Sequence, residues 1–336
     1  MSGGYVFYNQ RPNKAVERQL FVELLVKLNR HIPVSKYNYI SFGGTYFEDF
    51  KLVHSYFANS TMVSIEEDAN IFARQRFNKP LGCIIAENCT SDDFIINKFD
   101  KYEQNIIWLD YADSKQHQTQ LGEFKSLLTK SNELDVIKIT LNANLDTLFS
   151  QSKRKEDGRA FNTAELNQRR YENLKSRINN FLPNDIGPSD LAANRYPLVL
   201  NRAVGVAAAQ AMSTMRPGLL FQPLTSFFYE DSINQMMTVT GIILKEGTSE
   251  ALFEETALGD WELASTEWGK CLQILVPPLT VKEKLTLDQN IPCTDIASLQ
   301  EVLNFKFDSV AHRHDSMLDH YNKYYRYYPT FHRVSY

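Results

Sequence analysis

The chain has 336 residues, 43% hydrophobic and 23% charged, a balance that suits a globular protein with a sizeable core and excludes a disordered one. Its formal net charge of -4 supplies no overall positive field to draw it onto nucleic acid, so that partner is disfavoured and only a local basic face stays open. Four cysteines without a Cys-x-x-Cys pair, no bilayer-length apolar run and no signal layout at Met1-Ser2-Gly3-Gly4 point to a soluble cytoplasmic protein without a membrane partner.

From Arg11-Pro12 the pattern predicts a helix to residue 30, with Val16, Leu20, Phe21 and Leu24 in a broad apolar stripe and Pro12 in the first turn. Arg11, Lys14 and Arg18 form a cationic patch near its start. A solvated face is the favoured reading of that patch; the sharper one is neutralisation of a ligand carboxylate. A strand over Tyr37–Phe42 follows, closed by Gly43-Gly44, then a helix over Phe47–Phe57. A second strand, Thr61–Ile65, ends on Glu66-Glu67-Asp68 and leads into a helix over Ala69–Asn78. Leu81–Ala86 is a third strand, followed by a loop carrying Ser91 and Asp92 and a helix over Asp93–Lys101. The fourth strand, Asn105–Leu109, has the tip Asp110-Tyr111-Ala112-Asp113. A helix over Gln116–Lys130 and a fifth strand, Val136–Leu141, complete five β-then-α units, which argue for an α/β fold with a doubly wound parallel sheet.

Beyond residue 150 the character changes. Gln151–Arg159 is polar, and Thr163–Phe181 is a helix whose Arg169, Arg170, Lys175 and Arg177 interleave with acids, as on a solvated face. Asn201–Met212 is an Ala-rich helix. Leu219–Tyr229 and Gln235–Leu244 flank a polar turn and predict a β-hairpin that completes the sheet. Helices are expected over Thr294–Phe305 and Ser309–Tyr325. His312, His314, Asp315, Asp319 and His320 match no metal-ligand spacing, so no metal is expected. The tyrosine-rich tail over 321–328 is expected to pack on the domain surface. The domain reading is 1–245 as one Rossmann-like unit, with a helical insertion at about 151–215, and 246–336 as a mixed, mainly helical extension.

Three strands thus stop on residues that can hold a polar ligand, the signature of the carboxyl edge of an open parallel sheet. The full Gly-x-Gly-x-x-Gly fingerprint is absent. A pyrophosphate needs that backbone cradle; S-adenosylmethionine carries no phosphate, and a shortened glycine turn suffices for it. Glu66 follows Gly43 at the spacing of a carboxylate that grips both ribose hydroxyls. The expected cofactor is therefore S-adenosylmethionine, with Ser41, Gly43, Gly44, Glu66, Ser91, Asp92 and Asp110 as its binding residues. Ser91 or Asp92 would reach the adenine, or cap the next helix instead. Asp110, Tyr111 and Asp113 are the candidate catalytic residues on the acceptor side, Tyr111 by packing on the sulfonium.

Several runs resemble a known family. They are Tyr39-Ile40-Ser41-Phe42-Gly43-Gly44-Thr45-Tyr46-Phe47, Met62-Val63-Ser64-Ile65-Glu66-Glu67-Asp68, Ile107-Trp108-Leu109-Asp110-Tyr111, Arg11-Pro12-Asn13-Lys14 and the ending Tyr324-Tyr325-Arg326-Tyr327-Tyr328-Pro329-Thr330-Phe331. Together they are similar to a prokaryotic group labelled putative O-methyltransferases, over nearly the whole chain. The resemblance implies a class I S-adenosylmethionine-dependent methyltransferase fold, with Gly43 and Gly44 near the donor's amino acid and Glu66 on its ribose. It departs in one place: Ser41 stands where the family turn often has its first glycine. It implies a methyltransferase of unknown acceptor. The alternative is a catalytically silent nucleotide-binding or scaffolding subunit of a multi-protein complex, for example in antiviral defence. A protein partner or a homo-oligomer is open under either reading.

Overall fold

In a computed structural model, residues 11–149, 159–293 and 295–329 are described. The polar stretch 151–158, Thr294, and Thr330-Phe331 of the family-like ending lie outside them. Eight strands form one sheet: β1 (Asn38–Ser41), β2 (Met62–Glu66), β3 (Ile84–Asn88), β4 (Asn105–Asp110), β5 (Val136–Asn142), β6 (Leu219–Asp231), β7 (Asn234–Lys245) and β8 (Leu272–Ile274). Their order is β3-β2-β1-β4-β5-β7-β6-β8. The first five are parallel to one another. β7 runs antiparallel between β5 and β6, so the predicted hairpin does complete the sheet. This is a doubly wound, Rossmann-like sheet of the class I methyltransferase type, extended by β8, which pairs parallel to β6. The strand order reverses between β1 and β4, and a ligand crevice opens at the carboxyl ends beside such a switch.

The helices divide between two faces. α1 (Pro12–Leu28), α2 (Glu48–Phe57) and α3 (Ala69–Asn78) cover one; α5 (His117–Lys130) and α7 (Tyr196–Met215) cover the other. Strand alternation assigns the side chains. Ile107, Leu109, Ile137 and Ile139 join the core under α5 and α7. Tyr39, Met62, Ile106 and Trp108 join the core under α1 and α2. Between β5 and α7 runs α6 (Thr163–Ile178), opened by a capping box between Asn162 and Glu165.

Some boundaries moved for identifiable reasons. β3 is later than expected because its register is set by β2, from Met62 opposite Ile84 to Glu66 opposite Asn88. The next helical turn, α4 (Ser91–Asp93), is capped by Thr90, whose hydroxyl accepts from the Asp93 N–H at 3.1 Å, and not by Ser91 or Asp92. It continues as helix to Lys101. The helix expected over Thr294–Phe305 is the shorter α10 (Ile296–Glu301).

The C-terminal segment adds α8 (Ser249–Thr256), α9 (Val281–Asp288), α10 and α11 (Ala311–Tyr324). It shares a core with Val16 and Leu20 of α1 and Phe227 and Tyr229 of β6. The tyrosines at its end pack inward as expected. Tyr324 donates to the Gln273 carbonyl at 3.0 Å and Tyr328 to the Pro277 carbonyl at 3.0 Å. Among the described residues no helix is long and apolar enough to cross a membrane.

Candidate functional site

The turn after β1 is built around two glycines in the left-handed region, Gly43 at φ 69° and Gly44 at φ 58°. Glycine is required at the first for a second reason: a Cβ there would lie 2.5 Å from Ser64 Oγ on β2. The turn is bolted to its neighbours. Ser64 donates to Gln75 of α3 at 2.9 Å, and Gln75 donates to the Phe42 carbonyl at 2.9 Å. Phe47, a non-glycine residue at φ 53°, closes the turn through its N–H to the Gly43 carbonyl at 3.2 Å. A bulky side chain in that region is strained, and strain of this kind gathers at functional loops.

Register brings the strand tips level. Ser41 pairs with Ser64 on one side and Trp108 on the other. β1 then turns away at Gly43, while its two neighbours run on to end at Glu66 and Asp110. Glu66 is half-buried. Its carboxylate accepts from the Asp68 N–H at 3.0 Å, with the Glu67 N–H also turned toward it. Burial lifts its pKa above the usual carboxylate range, against the pull of the Asp68 N–H. Asp68 caps α3 by accepting from the N–H groups of Asn70 and Ile71.

Asp110 does not cap a helix. It accepts from Lys14 of α1 at 3.0 Å. Burial would raise its carboxyl, but the nearby Lys14, Arg18 and Lys138 charges win and hold it below the usual range. Lys14 also lies 3.8 Å from Asp231, which Arg11 approaches at 3.2 Å. Lys14 and Arg18 are buried, so the favoured reading of these cations as a solvated face is corrected. They neutralise carboxylates, but the protein's own. One layer deeper, Glu17 of α1 meets Lys138 of β5 at 2.6 Å. Thr238 donates to the same Glu17 at 3.1 Å, and Lys138 Nζ lies 3.5 Å from the centre of the Trp108 ring. Asp49 of α2 is also buried and accepts from the Tyr39 hydroxyl at 2.8 Å. Sequence reasoning missed this network. Its visible signals are a lysine inside an apolar strand, and the i, i+3, i+4 spacing that puts Lys14, Glu17 and Arg18 on one stripe with Phe21.

The remaining predicted residues are spread more widely. Ser41 is buried beside Asp49, so its side chain is turned into the protein. Tyr111 alternates to the opposite face from Asp110, where its ring packs edge-on against Phe42 at 5.4 Å. Its hydroxyl donates to Glu123 of α5, which also accepts from Ser91 at 2.6 Å. Burial and the Glu123 charge push the Tyr111 phenol well up, so it stays protonated. Asp92 is exposed. Asp113 is exposed as well and caps the short turn Ser114–Gln116, accepting from the Lys115 N–H at 2.8 Å. Gly43 and Gly44 thus follow β1, and Glu66 and Asp110 end the strands on either side of it, while Ser91, Tyr111 and Asp113 have structural partners. Among the described residues no group of three potential metal ligands occurs.

A second concavity lies past the ends of β4 and β5. This cleft of ≈ 510 Å³ is lined by Lys115, the Thr147–Phe149 segment and the Arg169, Glu172 and Arg177 side of α6.

A family model described as "Putative O-methyltransferase" matches residues 6–336. Among solved structures, the O-methyltransferase from Bacillus cereus in complex with SAH is similar at 13% identity and a TM-score of 0.39, over 72% of this chain and 84% of that one. A putative O-methyltransferase from Klebsiella pneumoniae is similar at 11% identity and a TM-score of 0.38, over 69% of this chain and 80% of the other. A putative caffeoyl-CoA O-methyltransferase from Staphylococcus aureus gives 11% identity and a TM-score of 0.33, over 66% and 83%. No curated protein matches.

Proposed function

This chain belongs to the putative O-methyltransferase family, and from that premise we propose that it binds S-adenosylmethionine at the crevice over β1, β2 and β4 and transfers its methyl group. The observation that carries the reading is a left-handed glycine turn after β1 whose neighbouring strands, in register with it at Ser64 and Trp108, end on a half-buried carboxylate and an aspartate. When bound, the cofactor supplies an electrophilic methyl on a sulfonium. The protein's part in such an in-line displacement is chiefly positioning.

Each residue then has a task. Gly43 and Gly44 leave the backbone open to close approach. The Glu66 carboxylate accepts from a ribose hydroxyl while it stays anchored on the Asp68 N–H. Asp110, kept ionised by Lys14, attracts a cationic group such as the donor's amino group. An acceptor hydroxyl must also lose a proton, and Asp113, exposed just past the tip of β4, is a carboxylate open to solvent there.

Calorimetry with S-adenosylmethionine and S-adenosylhomocysteine tests the reading. The wild type should bind both. Glu66→Ala should weaken each by at least tenfold, since a charge-assisted hydrogen bond contributes about 1.5–3 kcal/mol. Binding of neither by the wild type would end the donor reading and leave the scaffold alternative. As pH falls through the raised Glu66 pKa the carboxylate is lost, so donor affinity should decline earlier on acidification than for an ordinary glutamate.

A further inference from the structure

We infer that the cleft between the β5 loop and α6 is a site for an oxyanion, a phosphate or carboxylate group carried by the methyl acceptor. The role given to the acceptor rests on the methyltransferase reading; the anion site does not. Lys115, Arg169 and Arg177 line the cleft against a single carboxylate, Glu172. Among the described residues no carboxylate lies within salt-bridge distance of Lys115, Arg169 or Arg177. Their neighbour Arg170 differs, being paired with Asp146 at 3.1 Å.

The cations are also held in place. Arg177 donates to the Thr147 carbonyl at 2.7 Å and to the Thr147 hydroxyl at 3.2 Å, neutral partners that fix the guanidinium without discharging it. Arg169 lies 4.5 Å from the centre of the Phe161 ring and 5.8 Å from that of Phe149. A guanidinium pre-set on an aromatic face loses little freedom when it takes a planar or tetrahedral oxyanion. The location suits an acceptor. Lys115 belongs to the turn capped by Asp113, and Asn142 at the end of β5 donates to the Ala112 carbonyl at 3.0 Å, tying the cleft's rim to the tip that carries Asp110. Phe149 offers an apolar wall beside the charges.

The test is titration calorimetry of the full chain with inorganic phosphate and with acetate. Saturable binding of phosphate is expected, weakened about tenfold or more by Arg169→Gln and by Arg177→Gln. Lys175→Gln, on the same helix outside the cleft, should leave it unchanged. Glu172→Gln should tighten binding, a gain that lost structure does not produce. If Arg177→Gln unfolds the loop, Arg169→Gln decides alone. Preference for phosphate over acetate assigns a phosphate-bearing acceptor, and the reverse a carboxylate-bearing one. Binding of neither anion, or binding equally sensitive to Lys175→Gln and Arg169→Gln, overturns the site. S-adenosylhomocysteine affinity should be unmoved in Arg169→Gln. A wild type that binds phosphate here but no S-adenosylhomocysteine would sink the donor reading and leave the anion site standing.

Discussion

The two faces of the sheet solve different problems. Under α5 and α7 the packing is almost wholly apolar, with Ile107, Ile137, Ile139 and Val239 against Leu121, Phe124 and a run of alanines. Under α1 the same sheet carries Lys138, Thr140 and Asp110, met by Lys14, Glu17 and Arg18. Apolar packing is non-directional and tolerates small shifts. Paired buried charges tolerate few, because an ion without its partner is costly to bury. The charged face is the one that places Asp110 at the crevice. What differs between the faces is less total stability than how sharply α1 is fixed over the strand tips.

Breaking the deepest pair should have the largest effect. Lys138 is fully buried, and burial pushes its pKa down to about 8 although the Glu17 charge supports it. Lys138→Met leaves Glu17 buried beside Trp108 with only Thr238 to satisfy it. The expected loss is about 3–5 kcal/mol, read as a shift in urea midpoint at constant slope. Adding Glu17→Leu should recover most of that loss, because a well-packed apolar pair often equals a buried ion pair. No recovery in the double variant would show that the pair matters for more than its charges.

The opposite face has its own buried polar residues, and one of them sharpens the contrast. His117, at the start of α5, is fully buried, and its ring has only the Asn142 backbone close by, with no well-formed hydrogen bond at either nitrogen among the described residues. Burial, aided by the Arg177 charge, pushes it from 6.5 to about 4. Below pH 6.5 the unfolded chain takes up a proton that the folded chain refuses until about pH 4, so wild-type stability falls with pH across that window. The loss is about 3 kcal/mol, at 1.36 kcal/mol per unit. His117→Leu should be near neutral at pH 7 and should remove this acid slope. An unchanged slope would assign the acid sensitivity to the charged face instead.

How much of this was written locally in the chain differs between the faces too. The strands, the hairpin and the tip residues were legible because each tip lies at or just past the end of its own strand: Gly43 in the turn after β1, Glu66 at the end of β2, Asp110 at the end of β4. Thr90 as the cap of α4 and the late start of β3 were not, since the pairing with β2 decides them. The α1 network was illegible for a stronger reason. Lys14 and Asp110 are 96 positions apart, and nothing near Lys14 tells a solvated lysine from one waiting for a distant carboxylate. Tyr111 failed as a free aromatic surface for the same reason: its partner, Glu123, is on the next helix. The cleft beyond β5 needed α6 to fold back beside Thr147, which charge interleaving alone did not reveal.

The smallest expected effect comes from the pair where the charged face reaches the crevice. Lys14 has 9% of its side chain exposed and Asp110 27%, so water shares the work that Glu17 and Lys138 do alone. Lys14→Met should cost about 1–2 kcal/mol at pH 7. The Asp110 carboxyl is held below its usual range, so this contribution is full above about pH 3.9 and disappears as pH falls through the folded value. The gap between variant and wild type should therefore close in acid. Removing Lys14 also leaves Asp110 without its nearest cation. A donor amino group placed at Asp110 would replace it, so S-adenosylhomocysteine should raise the melting temperature of Lys14→Met by more than it raises that of the wild type. Equal shifts would mean that the ligand's amino group meets some other part of the edge, and that Asp110 serves only to anchor α1.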